Sequence, residues 1–194
     1  MIYKISNFLS DYICRNEGTP QNQEIYRYGI ECILNEIISD FFLILCAIIM
    51  HQVIPILIWN ISFSLIRIYL GGFHATTHSK CIFYGTIIGT ISVYFNFIWT
   101  HLNRVELTTL IILLLIFSVK YAPITHKNHP VSISQKSMAR KCLIFFITLE
   151  GIIIVLFFKS FPFIISPIMT GMMTAFLMGL IEIIIRKLSI FFAS

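Results

Sequence analysis

Cys81 closes the stretch Arg67-Ile-Tyr-Leu-Gly71-Gly72-Phe-His74-Ala-Thr-Thr-His78-Ser-Lys80-Cys81 and begins a long apolar segment. A thiol becomes a nucleophile when its surroundings favour the thiolate and a base takes its proton; the positive end of a helix and an adjacent ammonium do the first, an imidazole the second. Two histidines are available. On a continuous helix His78, at i−3, lies about 5–6 Å away between Cβ atoms, and His74, at i−7, about 10.5 Å along the axis. Gly71-Gly72 and the Thr-Thr-His-Ser run predict a folded loop instead, which can bring His74 back over the helix end. The residues alone leave both open as the base. The same set has two other readings. His74, His78 and Cys81 at i, i+4 and i+7 share a helical face and suit zinc, with His126 or His129 as a further ligand, or the histidines are interfacial polar groups beside a helix-end hydrophobe.

Composition says what kind of element positions them. The chain has 194 residues, 57% hydrophobic and 12% charged, with a mean hydropathy of +0.86, whereas an ordinary soluble domain is about 25% charged. Nine acids and fourteen bases cannot cover a water-facing surface, and the abundance of Ile, Leu and Phe excludes disorder. The remaining class is an all-α polytopic membrane protein. A net charge of +5 without a basic stripe or stacking motif argues against a nucleic-acid partner. Five cysteines, an odd number, argue against a disulfide framework, and Cys14, Cys32, Cys46 and Cys142 read as small hydrophobes.

Residues 161–181 run for 21 and residues 81–100 for 20 without a charge, each enough to cross about 30 Å of hydrocarbon at 1.5 Å per residue. The stretches 105–121 and 142–158, the latter interrupted by Glu150, add two spans, and Ile33 to Leu70 divides into two helices at His51-Gln52. The expected architecture is one membrane-embedded domain, 1–194, with six spans at about 33–50, 53–70, 81–100, 105–121, 142–158 and 162–185, both termini cytoplasmic. Residues 1–16 place Ile5, Phe8, Leu9, Tyr12 and Ile13 on one stripe, an amphipathic helix lying in the membrane interface or packed on the bundle. They lack the continuous apolar core and cleavage site of a signal peptide. With this topology Lys4, Arg15, Arg27, Arg67, Lys80, Lys120, Lys127, Lys136, Arg140, Lys141, Arg186 and Lys187, twelve of the fourteen bases, are cytoplasmic, as retention of basic residues requires.

Polar groups inside spans need partners. Glu36 lies 15 residues before the His51-Gln52 turn and Arg67 15 after it, which predicts a Glu36–Arg67 ion pair with Asp40 one turn deeper on the Glu36 face. Arg67 then holds the loop or grips a substrate carboxylate. Glu36, Asp40 and Ser79 are candidates for a third member beside Cys81 and its base. Glu150 has no depth-matched base and is expected in its acid form or facing a cavity. Met169, Met172, Met173 and Met178 read as adaptable packing, with a peptide groove as the sharper option.

The pattern Arg67-x3-Gly71-Gly72-x-His74-x6-Cys81, with six spans, the amphipathic N-terminus, and Tyr121-Ala122-Pro123 followed by basic residues and Pro130, resembles the accessory gene regulator B (AgrB) family of bacterial membrane endopeptidases. The resemblance implies that the protein lies in the bacterial cytoplasmic membrane. There it removes the C-terminal part of a short AgrD-like quorum-sensing propeptide and helps close the remainder into a thiolactone or lactone. It implies Cys81 as nucleophile and His74 as base, with Arg67, Gly71 and Gly72 supporting, and neither metal nor other cofactor. His126-Lys127-Asn128-His129 is less densely basic than the lysine run of some members. The rival readings are a small peptide transporter or exporter, against which stands the lack of repeated halves or broken helices, and a zinc-dependent membrane hydrolase. Six helices enclose little space for an amphipathic peptide, which favours a homodimer, though no small-xxx-small face was found to settle it.

Overall fold

The computed structural model describes residues 2–17, 22–72, 77–124 and 132–191, and within them every side chain except those of Glu17, His78, Ser189 and Ile190. These residues form α1 (Ile2–Glu17), α2 (Gln23–Ile49), α3 (Val53–Leu70), α4 (His78–Ser92), a 3-10 turn (Val93–Phe95), α5 (Asn96–Trp99), α6 (Arg104–Tyr121), α7 (Ile133–Phe157) and α8 (Pro162–Phe191). Local chemistry sets the ends. Asn103 and Glu106 cap each other's backbone at the start of α6, at 3.0 and 2.8 Å, and Ser132 with Gln135 does the same for α7, the reciprocal box that satisfies first-turn amides. That box starts α7 nine residues ahead of the apolar run expected at 142. The α2–α3 hairpin turns at His51, in the left-handed region at φ 53, with Gln52 N–H donating to Ala47 O at 2.9 Å.

Among the described residues four helical stretches are long and apolar enough to cross a membrane: Gln23–Ile49, Val53–Leu70, Ser79–Trp99 and Pro162–Leu188. The other two expected spans fall short for a physical reason. α6 carries Arg104, Glu106 and Lys120 within 18 residues, and α7 carries Glu150 in addition to Arg140 and Lys141. The apolar residues that remain uncovered lie in stripes, Ile33, Ile37, Phe41, Ile44 and Ile48 on α2 and Ile54, Leu57, Ile61 and Ile68 on α3, the pattern of helices whose outer solvent is hydrocarbon.

α3 and α8 form the central seam. A side chain at Gly171 would strike Trp59 O at 2.6 Å and Phe63 N at 3.0 Å, so glycine lets the two backbones meet. Ile66, Leu70, Met169, Met172 and Ala175 are fully buried along it. Polar ties thread the same region. Trp59 Nε1 donates to Thr174 Oγ1 at 3.4 Å, Trp99 Nε1 to Thr170 Oγ1 at 2.7 Å, and Thr170 Oγ1 to Asn96 Oδ1 at 2.6 Å. Glu150 is buried, at 7% exposure, with Ser62 Oγ donating to its Oε2 at 2.8 Å.

α1 packs on α2 through Ser6, Ser10 and Cys14, all buried, a stripe at i, i+4 and i+8. Ser6 Oγ reaches Glu31 Oε1 at 3.1 Å, and Arg27 covers the Tyr3 ring at 5.4 Å. The stripe read from the sequence is the opposite one: Ile5, Phe8, Leu9 and Tyr12 point away from the bundle, because the small-residue face allows the closer approach.

Candidate functional site

Thr77 caps α4: its Oγ1 accepts from Lys80 N–H at 3.4 Å, which starts the helix at His78, earlier than the apolar run suggests. Cys81 is therefore the fourth residue of α4, half-buried, a free thiol, its N–H bonded to Thr77 O at 3.0 Å. Cys81, Tyr84 and Gly85 share a helix face. Opposite them stand Asn35, Glu36, Ser39, Asp40 and Leu43 of α2 and Trp59, Asn60, Phe63 and Arg67 of α3, and with Met178 of α8 these line one cleft of about 590 Å3, counting its open mouth.

Within it Asn60 Nδ2 donates to Asp40 Oδ1 at 3.1 Å and Ser64 Oγ to Glu36 Oε1 at 3.4 Å. Arg67 lies over the Phe63 ring at 5.8 Å and within coulombic reach of Cys81, Glu36 and Glu182. Among the described residues the expected direct Glu36–Arg67 ion pair is not formed. The Asp40–Asn60 and Glu36–Ser64 bonds set a hairpin register in which Ser64, not Arg67, stands opposite Glu36. Arg67 is three residues, roughly 4.5 Å at 1.5 Å per residue, further from the turn. These pairs centre the hairpin at Met50, one to two residues before the mid-point that the His51-Gln52 break predicts.

Gly71 ends α3 with φ 73 and bridges Ile124; Ile124 N–H donates to Leu70 O at 2.8 Å. A Cβ on Gly71 would collide with Ile124 O, and one on Gly72, at φ 131, would lie 2.9 Å from Arg67 Nη1 and 3.2 Å from Gly179 Cα. Arg140 Nε of α7 donates to Ala122 O at 2.9 Å, so the Tyr121-Ala122-Pro123 segment is tied to the start of α7 on one side and the end of α3 on the other. Gly71 N–H is engaged by Arg67 O at 2.9 Å, which removes it as an oxyanion donor.

The cleft thus gathers Cys81, Arg67, Glu36 and Asp40, with Gly71 and Gly72 just beyond the end of α3. His74, His126 and His129 lie outside the described residues, and His78 is the first residue of α4. Among the described residues no three His, Cys, Asp or Glu side chains are grouped to hold a metal. Sequence reasoning missed Asn35, Ser39, Asn60 and Tyr84, whereas Met178, read as packing or a peptide groove, lines the cleft. The signal was present in the polar spacing of α2 and α3 and in Gly85-x3-Gly89. A Cβ at Gly85 would meet Ser39 Oγ at 2.9 Å, and one at Gly89 would meet Leu43 Cδ1 at 2.6 Å and Trp59 Cζ3 at 2.8 Å. This small-xxx-small face is occupied within the chain, where it brings α4 onto α2 and α3.

The fold and site define a helical protein of membrane type with a thiol at a helix start in one cleft with a half-buried arginine. The accessory gene regulator B family model matches residues 3–190, and the chain belongs to that family. AgrB-like protein 2 of Clostridium perfringens (strain 13 / Type A) is 23% identical over 184 residues, 87% of this chain and 85% of the relative. An AgrB-like protein of Clostridium perfringens (strain SM101 / Type A) is 23% identical over 174 residues, 82% of this chain and 80% of the relative. No solved structure matches the chain.

Proposed function

We propose that this protein is a six-span cysteine endopeptidase of the bacterial cytoplasmic membrane that cuts an AgrD-like propeptide and supports ring closure of the retained part. Membership of the AgrB family gives the substrate class. The observation that carries the chemistry is the placement of Cys81 in the first turns of α4, in one cleft with Arg67, Glu36 and Asp40. His74 takes the thiol proton, and the thiolate attacks a peptide carbonyl. The C–N bond breaks as the imidazolium protonates the leaving amine, and the acyl group stays on Sγ as a thioester. A thiol or hydroxyl of the substrate then attacks that carbonyl, Cys81 leaves with a proton, and the ring closes, with orientation and exclusion of water favouring closure over hydrolysis. First-turn amides of α4 are the natural oxyanion donors. Arg67 supports the thiolate by charge, and Gly71 and Gly72, pinned at Ile124 and Gly179, set the departure of the loop that carries His74.

The cytoplasmic orientation is supported by what meets at the Cys81 end of the bundle: Arg67, Lys80, Lys120, Arg140 and Lys141, with Arg104 and Lys159 at the opposite ends of α6 and α7. The exposed stripe of α1 is what a lipid interface would cover. Co-expression with the neighbouring short reading frame, followed by mass measurement of the peptide, tests the proposal. Release of a C-terminal fragment that is lost in both Cys81→Ala and His74→Ala is expected. An unchanged fragment in either variant refutes the assignment, and sensitivity to chelator with partial activity in Cys81→Ser would favour a zinc hydrolase.

A further inference from the structure

We infer that Glu182 of α8 is a positioning residue of the reaction: fixed by Arg186, it holds the Arg67 guanidinium at the point where the chain toward His74 leaves α3. This rests on the peptidase reading above, in which Arg67 supports the Cys81 thiolate. Glu182 is 7% exposed, and Arg186 Nε, one turn further along α8, donates to its Oε1 at 2.7 Å. Glu182 stands three residues beyond Gly179 on the same helix face. That face meets the end of α3. A Cβ at Gly179 would lie 3.2 Å from Leu70 Cδ2, and one at Gly72 would lie 2.9 Å from Arg67 Nη1 and 3.2 Å from Gly179 Cα. The guanidinium and the α8 backbone therefore converge on Gly72, the last described residue before His74. Arg67 has both Glu182 and Cys81 within coulombic reach.

Arg67 also reaches Glu36, but that residue is exposed and accepts from Ser64, so the surroundings screen it. A guanidinium keeps its charge and its planar set of donors, and its place is set by anions that are themselves fixed. Of the two carboxylates, Glu182 is the buried one. Packing alone closes the α3–α8 seam as far as Leu70 and Gly179. A buried ion cluster at the end of that seam adds little stability that apolar side chains would not supply, whereas removing one member leaves the others uncompensated. What the cluster fixes is position. Without Glu182 the guanidinium moves off, and Cys81 loses the cation that favours its thiolate.

The test uses full-length protein in lipid nanodiscs with two readouts. One is cleavage of the cognate propeptide; the other is the rate at which iodoacetamide alkylates Cys81 at one fixed pH, followed by mass on the fragment that contains it. Glu182→Gln is expected to lower kcat about tenfold with KM little changed, and to slow alkylation about threefold or more. The sign is decisive. Removing a carboxylate that merely lay near the thiol would leave more positive surroundings and speed alkylation. Glu182→Gln added to Arg67→Gln should slow alkylation no further, because the effect runs through Arg67, and Glu182→Asp, which keeps the charge, should recover most of both readouts. Glu182→Met, of similar length and uncharged, takes the place of Glu182→Gln with the same expectations if the amide does not fold. Alkylation unchanged or faster in the uncharged variant, a loss confined to KM, or an additive loss in the double variant overturns the positioning role and leaves the peptidase reading standing. A wild type that cleaves nothing overturns the peptidase reading and with it the role in the reaction, while alkylation still reports on the link between Glu182 and Arg67.

Discussion

The two long faces of α3 have been put to opposite uses. Toward α8 it presents Trp59 O, Ser62, Ile66 and Leu70 against Gly171, Met169 and Met172, with no room for a methyl group at Gly171. Toward α2 and α4 it presents Asn60, Phe63, Ser64 and Arg67 across an open cleft. Both faces contain hydroxyls and aromatic rings, so composition does not distinguish them. Backbone approach does: glycine closes the first face, and the acidic and amide side chains of α2 hold the second apart. A membrane bundle has no hydrophobic drive between helices once they are in lipid, so close packing of small residues is what binds it, and the place left unpacked is free to do chemistry.

Four tests, built on six substitutions, would break or sharpen that contrast. The largest effect belongs to the open face: Cys81→Ala should lower propeptide cleavage about 10^4-fold or more, the scale of losing a nucleophile, with the thermal unfolding midpoint unmoved. Next, on the closed face, Gly171→Leu should cost about 3 kcal/mol by overpacking, while Asn60→Leu on the open face should cost under about 1 kcal/mol. Equal losses in denaturant unfolding would erase the distinction. Ser62→Val leaves Glu150 without its hydroxyl partner and should cost about 2 kcal/mol, with Glu150→Gln within about 1 kcal/mol of wild type. The smallest is Arg140→Ala. Freeing Ala122 O should lower kcat roughly tenfold with KM little changed, and a loss appearing in KM would mean that Arg140 handles substrate rather than the loop platform.

Residues with a strong local signature were readable from the sequence. The break at His51-Gln52, the thiol at a helix start and the end of α3 at Gly71 all follow from single residue types. What was not readable depends on distance between backbones. The Glu36–Arg67 pairing missed because counting from the turn gives a register only to within a residue or two, and a helix converts that error into most of a turn. The apolar stripe of α1 was legible, but not which of its two readings, lipid interface or bundle packing, applies: the bundle takes the small face of Ser6, Ser10 and Cys14. Gly85 and Gly89 went unnoticed because nothing in one strand of sequence says what a glycine admits, here Ser39, Leu43 and Trp59. Asn35 and Tyr84 joined the site only through that approach.

The α3–α8 seam has a consequence for how the protein is made. Ser62 and the Ile168 carbonyl it meets at 2.9 Å are 106 residues apart, so α3 has no permanent neighbour on that face until α8 has been made. Met178, which lines the cleft, arrives with the same helix. Until α8 packs, the thiol of α4 is present but the cleft lacks the wall that Met178 supplies, so the enclosure around Cys81 is the last part of the fold to form.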